Sequence, residues 1–330
     1  MTGSSAGAAA PQRLDAATPA ARASAAQAPA DRTSIERIVV DGRGIAVRRG
    51  FGPAGGQPAL YVHGLGGSST NWVDAGVLLG DALDGEAIDL PGFGESDPPA
   101  DGDYRLRRLA DIVAHVIEAR GRGPVHMAGN SLGGAVAAQL AAGRPELVRT
   151  LTLVAPAMPD LRPRNRIRAL LAASAVPGVP RVAEWHLVGA PIESSQLRVR
   201  RVIDSVFGDP AVISPDRLAD AIGEAERRAS LPWADEAFAR SLRGLLAAHL
   251  RVGRSSLWAV LPRIRARTLV VWGGADLLVP VELAARTAAA VPDARLMVLP
   301  GVGHTPQIEA PGEVAAAMRD LLGAPLSSTG

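Results

Sequence analysis

The chain reads as an α/β protein: a mostly parallel sheet covered by helices on both faces, interrupted by a long helical insertion. Three observations predict this. Short apolar runs alternate with segments of helical periodicity. The alternation stops near Ala157 and resumes after Arg265. The stretch between is helical in pattern, broken by Pro, and too long for a plain loop. The expected organisation is a core over 33–156 and 265–324, a helical cap over 157–264, and tails at 1–32 and 325–330.

Residues 1 to 32 are Ala, Pro, Ser and Gly with scattered Arg and Asp. They show no periodicity and no unbroken apolar core of a signal peptide, so a disordered tail is expected. Ile35 to Val40 and Gly44 to Arg48 flank Asp41-Gly42, a pair that favours a tight hairpin. Ala59 to Val62 is an apolar run ending in His63-Gly64-Leu65-Gly66-Gly67. A helix from about Trp72 to Leu83 and a strand from Ala87 to Leu90 are expected next. Tyr104 to Ala119 sets Leu106, Leu109, Ile112, Val113 and Val116 at helical spacing. Strands follow at Val125 to Ala128 and Val148 to Val154. After the insertion come the strand Thr268 to Trp272, a helix Val281 to Val291, the strand Arg295 to Leu299 and a helix Gly312 to Leu322.

Composition removes whole classes of chemistry. The 330 residues contain no Cys, which excludes disulfides, thiolate metal sites and a Cys nucleophile. All 35 basic side chains are Arg, so Schiff-base chemistry and a phosphate-loop lysine are also excluded. A net charge of +2 argues against nucleic acid as the main partner. No run is long and apolar enough for a transmembrane helix, and a cytoplasmic location is expected. No metal-ligand spacing appears, and Gly92-Phe93-Gly94 lacks the third Gly and helix start of a dinucleotide fingerprint, so no cofactor is implied.

What remains points to a nucleophilic serine. The run Val125 to Ala128 ends in Gly129-Asn130-Ser131-Leu132-Gly133-Gly134, and an Ala-rich helical segment follows at once. Gly-x-Ser-x-Gly between a strand and a helix marks a nucleophile elbow, in which a strained turn lifts the hydroxyl clear of the backbone. Three further pieces sit at ends of expected strands. His63, Gly64 and Gly66 belong to a loop able to aim a backbone N–H at an oxyanion; Leu65 and Leu132 are the expected donors. Asp276 lies in Gly273-Gly274-Ala275-Asp276, just past a strand, where it could orient a histidine. Asp160 is the fallback acid. His304, flanked by Gly303 on a loop before the last helix, is the expected general base. His63 is expected to buttress its loop, and His115 and His249 to serve surface or packing roles.

The order Ser131, Asp276, His304 and the loop Asp89-Leu90-Pro91-Gly92-Phe93-Gly94-Glu95-Ser96 resemble the α/β-hydrolase fold superfamily, over residues of about 34 to 323. The resemblance implies an eight-stranded sheet, a helical cap over the site, and a structural rather than catalytic loop at Asp89 to Ser96. A Ser nucleophile sets the chain apart from haloalkane dehalogenases and related epoxide hydrolases, which use Asp. The elbow and oxyanion loop also differ from those of proline iminopeptidases. The activity so implied is that of a carboxylesterase or small lipase, acting through an acyl-enzyme on a small apolar acyl substrate. A C–C bond hydrolase or cofactor-free perhydrolase with the same three residues is the alternative, ahead of a non-catalytic ligand receptor. In the cap, Trp185, Trp233, Trp258, Phe207 and Phe238 are expected to form the cap's own core. Its Arg-rich stretch (162, 164, 166, 168, 181, 198, 200, 201) reads as a solvated face or an attractor of anions.

Overall fold

The computed structural model describes residues 12–14, 33–160 and 194–323. Its strands are β1 (Gln12–Leu14), β2 (Ser34–Val40), β3 (Arg43–Arg49), β4 (Gln57–Val62), β5 (Leu83–Ile88), β6 (Val125–Asn130), β7 (Val148–Val154), β8 (Arg267–Gly273) and β9 (Ala294–Leu299). They form one sheet in the order β1-β9-β8-β7-β6-β4-β5-β3-β2. β2 and β3 are a hairpin, and β3 pairs antiparallel with β5; the other pairings are parallel. The hairpin closes as its sequence requires. Asp41 and Gly42 both take positive φ, 50° and 73°, the turn geometry that matches strand twist.

Helices α1 (Val73–Leu78) and α9 (Pro311–Gly323) cover one face of the sheet. The other face carries α2 (Leu106–Arg120), α3 (Leu132–Gly143) and α7 (Glu282–Ala290). α2 buries Leu106, Leu109, Ile112, Val113 and Val116, the stripe read from its spacing. Between β7 and β8 the described residues hold α4 (Ser195–Val206), α5 (Pro215–Ala229) and α6 (Ala234–His249), and no strand. Ser194 and Ser214 cap α4 and α5 by accepting from the amides of Leu197 and Arg217.

Four expectations need correction. The eight expected strands are all present, and Gln12–Leu14 adds a ninth, parallel, to the edge offered by β9. Those residues lie inside the stretch expected to be a disordered tail, where composition gave no sign of pairing. The helix expected to reach Leu83 stops at Leu78: a Cβ on Gly80 would lie 1.8 Å from the Phe51 carbonyl oxygen, so the chain turns where those backbones meet. The strand expected at Ala87 to Leu90 instead runs Leu83–Ile88. Glu86 within it is buried but satisfied, with Arg120 and Arg122 each at 2.6 Å. Finally, the insertion's described large rings do not share one core. Phe238 belongs to the main core, Trp233 and Trp258 pack against it, Phe207 joins a small cluster with Val199 and Ile203, and Trp185 lies outside the described residues.

Candidate active site

β6 lies near the middle of the sheet, buried along its length, and runs directly into Ser131 at the head of α3. Ser131 has φ +53° and ψ −115°, a conformation that costs energy for any residue with a side chain. Hydrogen bonds hold it there. Its amide donates to Val154 O (3.0 Å), and its carbonyl accepts from Ala135 (3.0 Å) and Ala157 (2.9 Å). Close packing also demands Gly133, since a Cβ there would sit 2.4 Å from the carbonyl oxygens of both Val62 and His63. The hydroxyl-bearing residue is partly exposed, at the N-terminus of a helix whose dipole favours negative charge.

The loop after β4 lies against this elbow: a Cβ on Gly64 would be 3.2 Å from Ser131 Cβ. His63 is fully buried and satisfied at both nitrogens. Nδ1 donates to Gly64 O (2.7 Å), and Nε2 accepts from the Leu90 amide (2.9 Å). Burial pushes its pKa down to about 4, so it is neutral and buttresses the loop. Leu132 is fully buried, so only its backbone can face a ligand, and Leu65 is partly buried against the main core.

Asp276 follows β8 and His304 follows β9, and the two meet. His304 Nδ1 lies 2.8 Å from Asp276 Oδ2, while Asp276 Oδ1 accepts from the amides of Leu278 (2.8 Å) and Val279 (2.9 Å). The carboxylate is thus fixed by two amides and can only accept, which places the proton on Nδ1 and leaves Nε2 as a lone-pair donor. Asp160, the fallback acid, is not the residue that His304 bonds. His304 is also tied to the elbow, because the Asn130 side-chain amide donates to its carbonyl (3.1 Å) and to Val154 O (3.2 Å). Of the other histidines, exposed His115 pairs with Asp41, and His249 bonds the Ala157 carbonyl. The loop at Asp89 to Ser96 is structural: Asp89 accepts from the amides of Ser69 and Glu95, and Ser96 Oγ donates to Asp89 O.

A cavity of about 620 Å³ opens elsewhere, edged by Arg105, Arg251 and Arg254, and none of Ser131, Asp276 or His304 lines it. Chemistry rather than concavity locates this site. Among the described residues no cluster of metal-ligating side chains occurs, and no helix is long and apolar enough to cross a membrane.

Comparison with known proteins gives the family. The model of the alpha/beta hydrolase family matches residues 59–317. The chain belongs to the alpha/beta hydrolase family. As such it is an enzyme. This hydrolase is 31% identical over 282 residues to the dihydrolipoyllysine-residue acetyltransferase component of the acetoin cleaving system of Cupriavidus necator, covering 85% of the chain and 67% of that protein. It is 27% identical over 284 residues to Lipase 1 of Psychrobacter immobilis, covering 82% and 79%. A bacterial membrane phospholipase A superposes with a TM-score of 0.73 at 27% identity, covering 88% of this hydrolase and 86% of that chain.

Sequence reading missed three residues around the hydrolase's site. Asn130 stands within the elbow motif, where nothing in the sequence marks its side chain as a clamp on the His304 loop. Glu309 sits five residues after His304, between Ile308 and Ala310, and nothing in that stretch of sequence signals its partners. Arg228 follows Arg227 on α5 and reads as one of a solvated pair, yet Arg228 Nη1 reaches the Gly66 carbonyl at 3.5 Å.

Proposed function

We propose that this hydrolase cleaves a carboxylic ester through an acyl-enzyme. Ser131 Oγ attacks the acyl carbonyl as His304 Nε2 takes its proton, and Asp276 stabilises the imidazolium that forms. The oxyanion is held by the amides of Leu65 and Leu132. The tetrahedral intermediate collapses as His304 returns the proton to the departing alcohol. A water that gives its proton to His304 then releases the acid and regenerates Ser131. The helices α4 to α6 act as the cap that encloses the acyl chain.

The observation that carries this reading is the 2.8 Å contact between His304 and Asp276, on a loop that the elbow residue Asn130 also grips. Ser131→Ala is expected to abolish turnover of p-nitrophenyl butyrate and labelling by a fluorophosphonate, while its circular dichroism matches wild type. Near wild-type turnover by that variant would refute the assignment.

A further inference from the structure

We propose that Arg228 forms, beside the oxyanion loop, a binding site for an anionic group of the substrate, a carboxylate or phosphate set apart from the scissile carbonyl. The inference rests on the ester-hydrolase reading above and narrows its substrate class.

Position comes first. Arg228 lies in the last turn of α5, with Nη1 3.5 Å from the carbonyl oxygen of Gly66. Its guanidinium sits 5.2 Å from the centroid of the Phe238 ring on α6. Phe238 in turn closes over Gly66, where a Cβ would be 3.2 Å from the ring. Gly66 is two residues from Gly64, which abuts Ser131, so at most roughly 7 Å of backbone separates them. Arg228 therefore holds the same short loop that abuts Ser131.

The second observation is that, among the described residues, no acid is hydrogen-bonded to this largely buried cation. Nη2 is buried and has no hydrogen-bond acceptor. A guanidinium has five donors in a rigid fork, and here a carbonyl at the limit of hydrogen bonding and an aromatic face are poor substitutes for a carboxylate. The acids nearby do not bond it: Glu224, which accepts from Thr70 Oγ1 at 2.7 Å, and Asp235 both act on it through space alone. Arg198 adds repulsion. Burial outweighs both acids and holds the Arg228 pKa below the usual arginine range. A guanidinium with a buried nitrogen left unbonded is destabilised, and an anion arriving from outside would relieve it. A planar carboxylate or a phosphate fits the fork in two-point fashion.

The test compares wild type with Arg228→Met and Arg228→Lys on two matched substrate pairs. One is mono-p-nitrophenyl glutarate against p-nitrophenyl pentanoate; the other is phosphatidic acid against diacylglycerol in the same micelles. The ratio of kcat/KM for the charged to the neutral member should fall roughly ten- to a hundredfold in Arg228→Met and less in Arg228→Lys. The pair that moves identifies carboxylate or phosphate. Parallel losses on both members of each pair, or ratios that stay at the wild-type value, would overturn the proposal and leave Arg228 only the task of holding Gly66. Calorimetric titration of Ser131→Ala with monomethyl glutarate, and with glycerol 3-phosphate, separates this question from the reaction itself. One of the two should bind at least tenfold more weakly when Arg228→Met is added. Equal affinities for both would sink the anion site even if Ser131 proved not to be the nucleophile.

Discussion

At the scale of single residues, the environments of two histidines explain why they cannot exchange roles. His304 meets a carboxylate fixed by two amides, which stabilises a positive imidazole when one forms. His63 meets a carbonyl and an amide deep in the protein, and there a positive charge is costly. Protonation would also destroy the lone pair that accepts from Leu90. The linkage has a definite sign. Because burial lowers the folded-state pKa of His63 from 6.5 to about 4, its contribution is fully present above pH 6.5 and is lost as pH falls toward 4. The loss is on the order of 3 kcal/mol. His126, also lowered to about 4 by burial and wedged between Thr150 and Gln57, acts over the same window. Urea unfolding of wild type at pH 7, 6, 5 and 4 should show this decline, and His63→Gln should show a shallower slope from a lower starting stability. Superimposable slopes for the two proteins would mean that His63 is not held neutral by burial.

At the scale of elements, the short helix α8 (Pro306–Glu309) does more than join β9 to α9. Glu309 accepts from the amides of Gly303 (2.8 Å), Gly208 (3.0 Å) and Asp209 (3.1 Å). The His304 amide donates to Val206 O at 2.6 Å. The C-terminal end of α4 is therefore strapped to the loop that carries His304. Glu309→Gln keeps the size but turns an NH₂ group toward amides that can only donate, leaving a buried donor unsatisfied at a cost of about 1–3 kcal/mol. A displaced imidazole should then lower kcat by roughly ten- to a hundredfold, with a smaller change in KM. A kcat equal to wild type, beside an unchanged melting temperature, would show that the strap does not position His304. The strap was invisible in sequence because Glu309 and its three donors lie on two segments about a hundred positions apart. Motifs confined to one loop were legible: the elbow, Asp276 and His304 each follow a strand that apolar runs had located. Elements with mixed polarity were not. Glu86 and Asp84 disguised β5, since their satisfaction by Arg120 and Arg122 is a tertiary fact. β1 consists of three residues whose only reason to extend is the open edge of β9.

At the scale of the whole molecule, α6 of the helical insertion and the sheet share one interior. Ala237, Phe238, Leu242 and Leu245 of α6 belong to the same buried cluster as Val62, Leu132 and Trp272. Polar contacts run along the same seam: Arg217 reaches Asp74 at 2.6 Å with both side chains largely buried, and Thr70 donates to Glu224 at 2.7 Å. A separately folded cap would melt by itself, whereas a shared core forces both parts to unfold together. Heating should therefore give a single transition, coincident by far-ultraviolet circular dichroism and by tryptophan fluorescence. Asp74→Ala tests the seam directly, because it removes a buried acceptor from a buried guanidinium. It should cost about 3 kcal/mol and lower that single midpoint without splitting it. Arg144→Ala, which removes contacts with Glu118 and Glu146 on the exposed surface, should leave the midpoint almost where it was. Two resolved transitions in wild type, or an Asp74→Ala midpoint no lower than that of Arg144→Ala, would contradict a common core. The insertion would then be an independently folding lid, with no fixed relation to the residues beneath it.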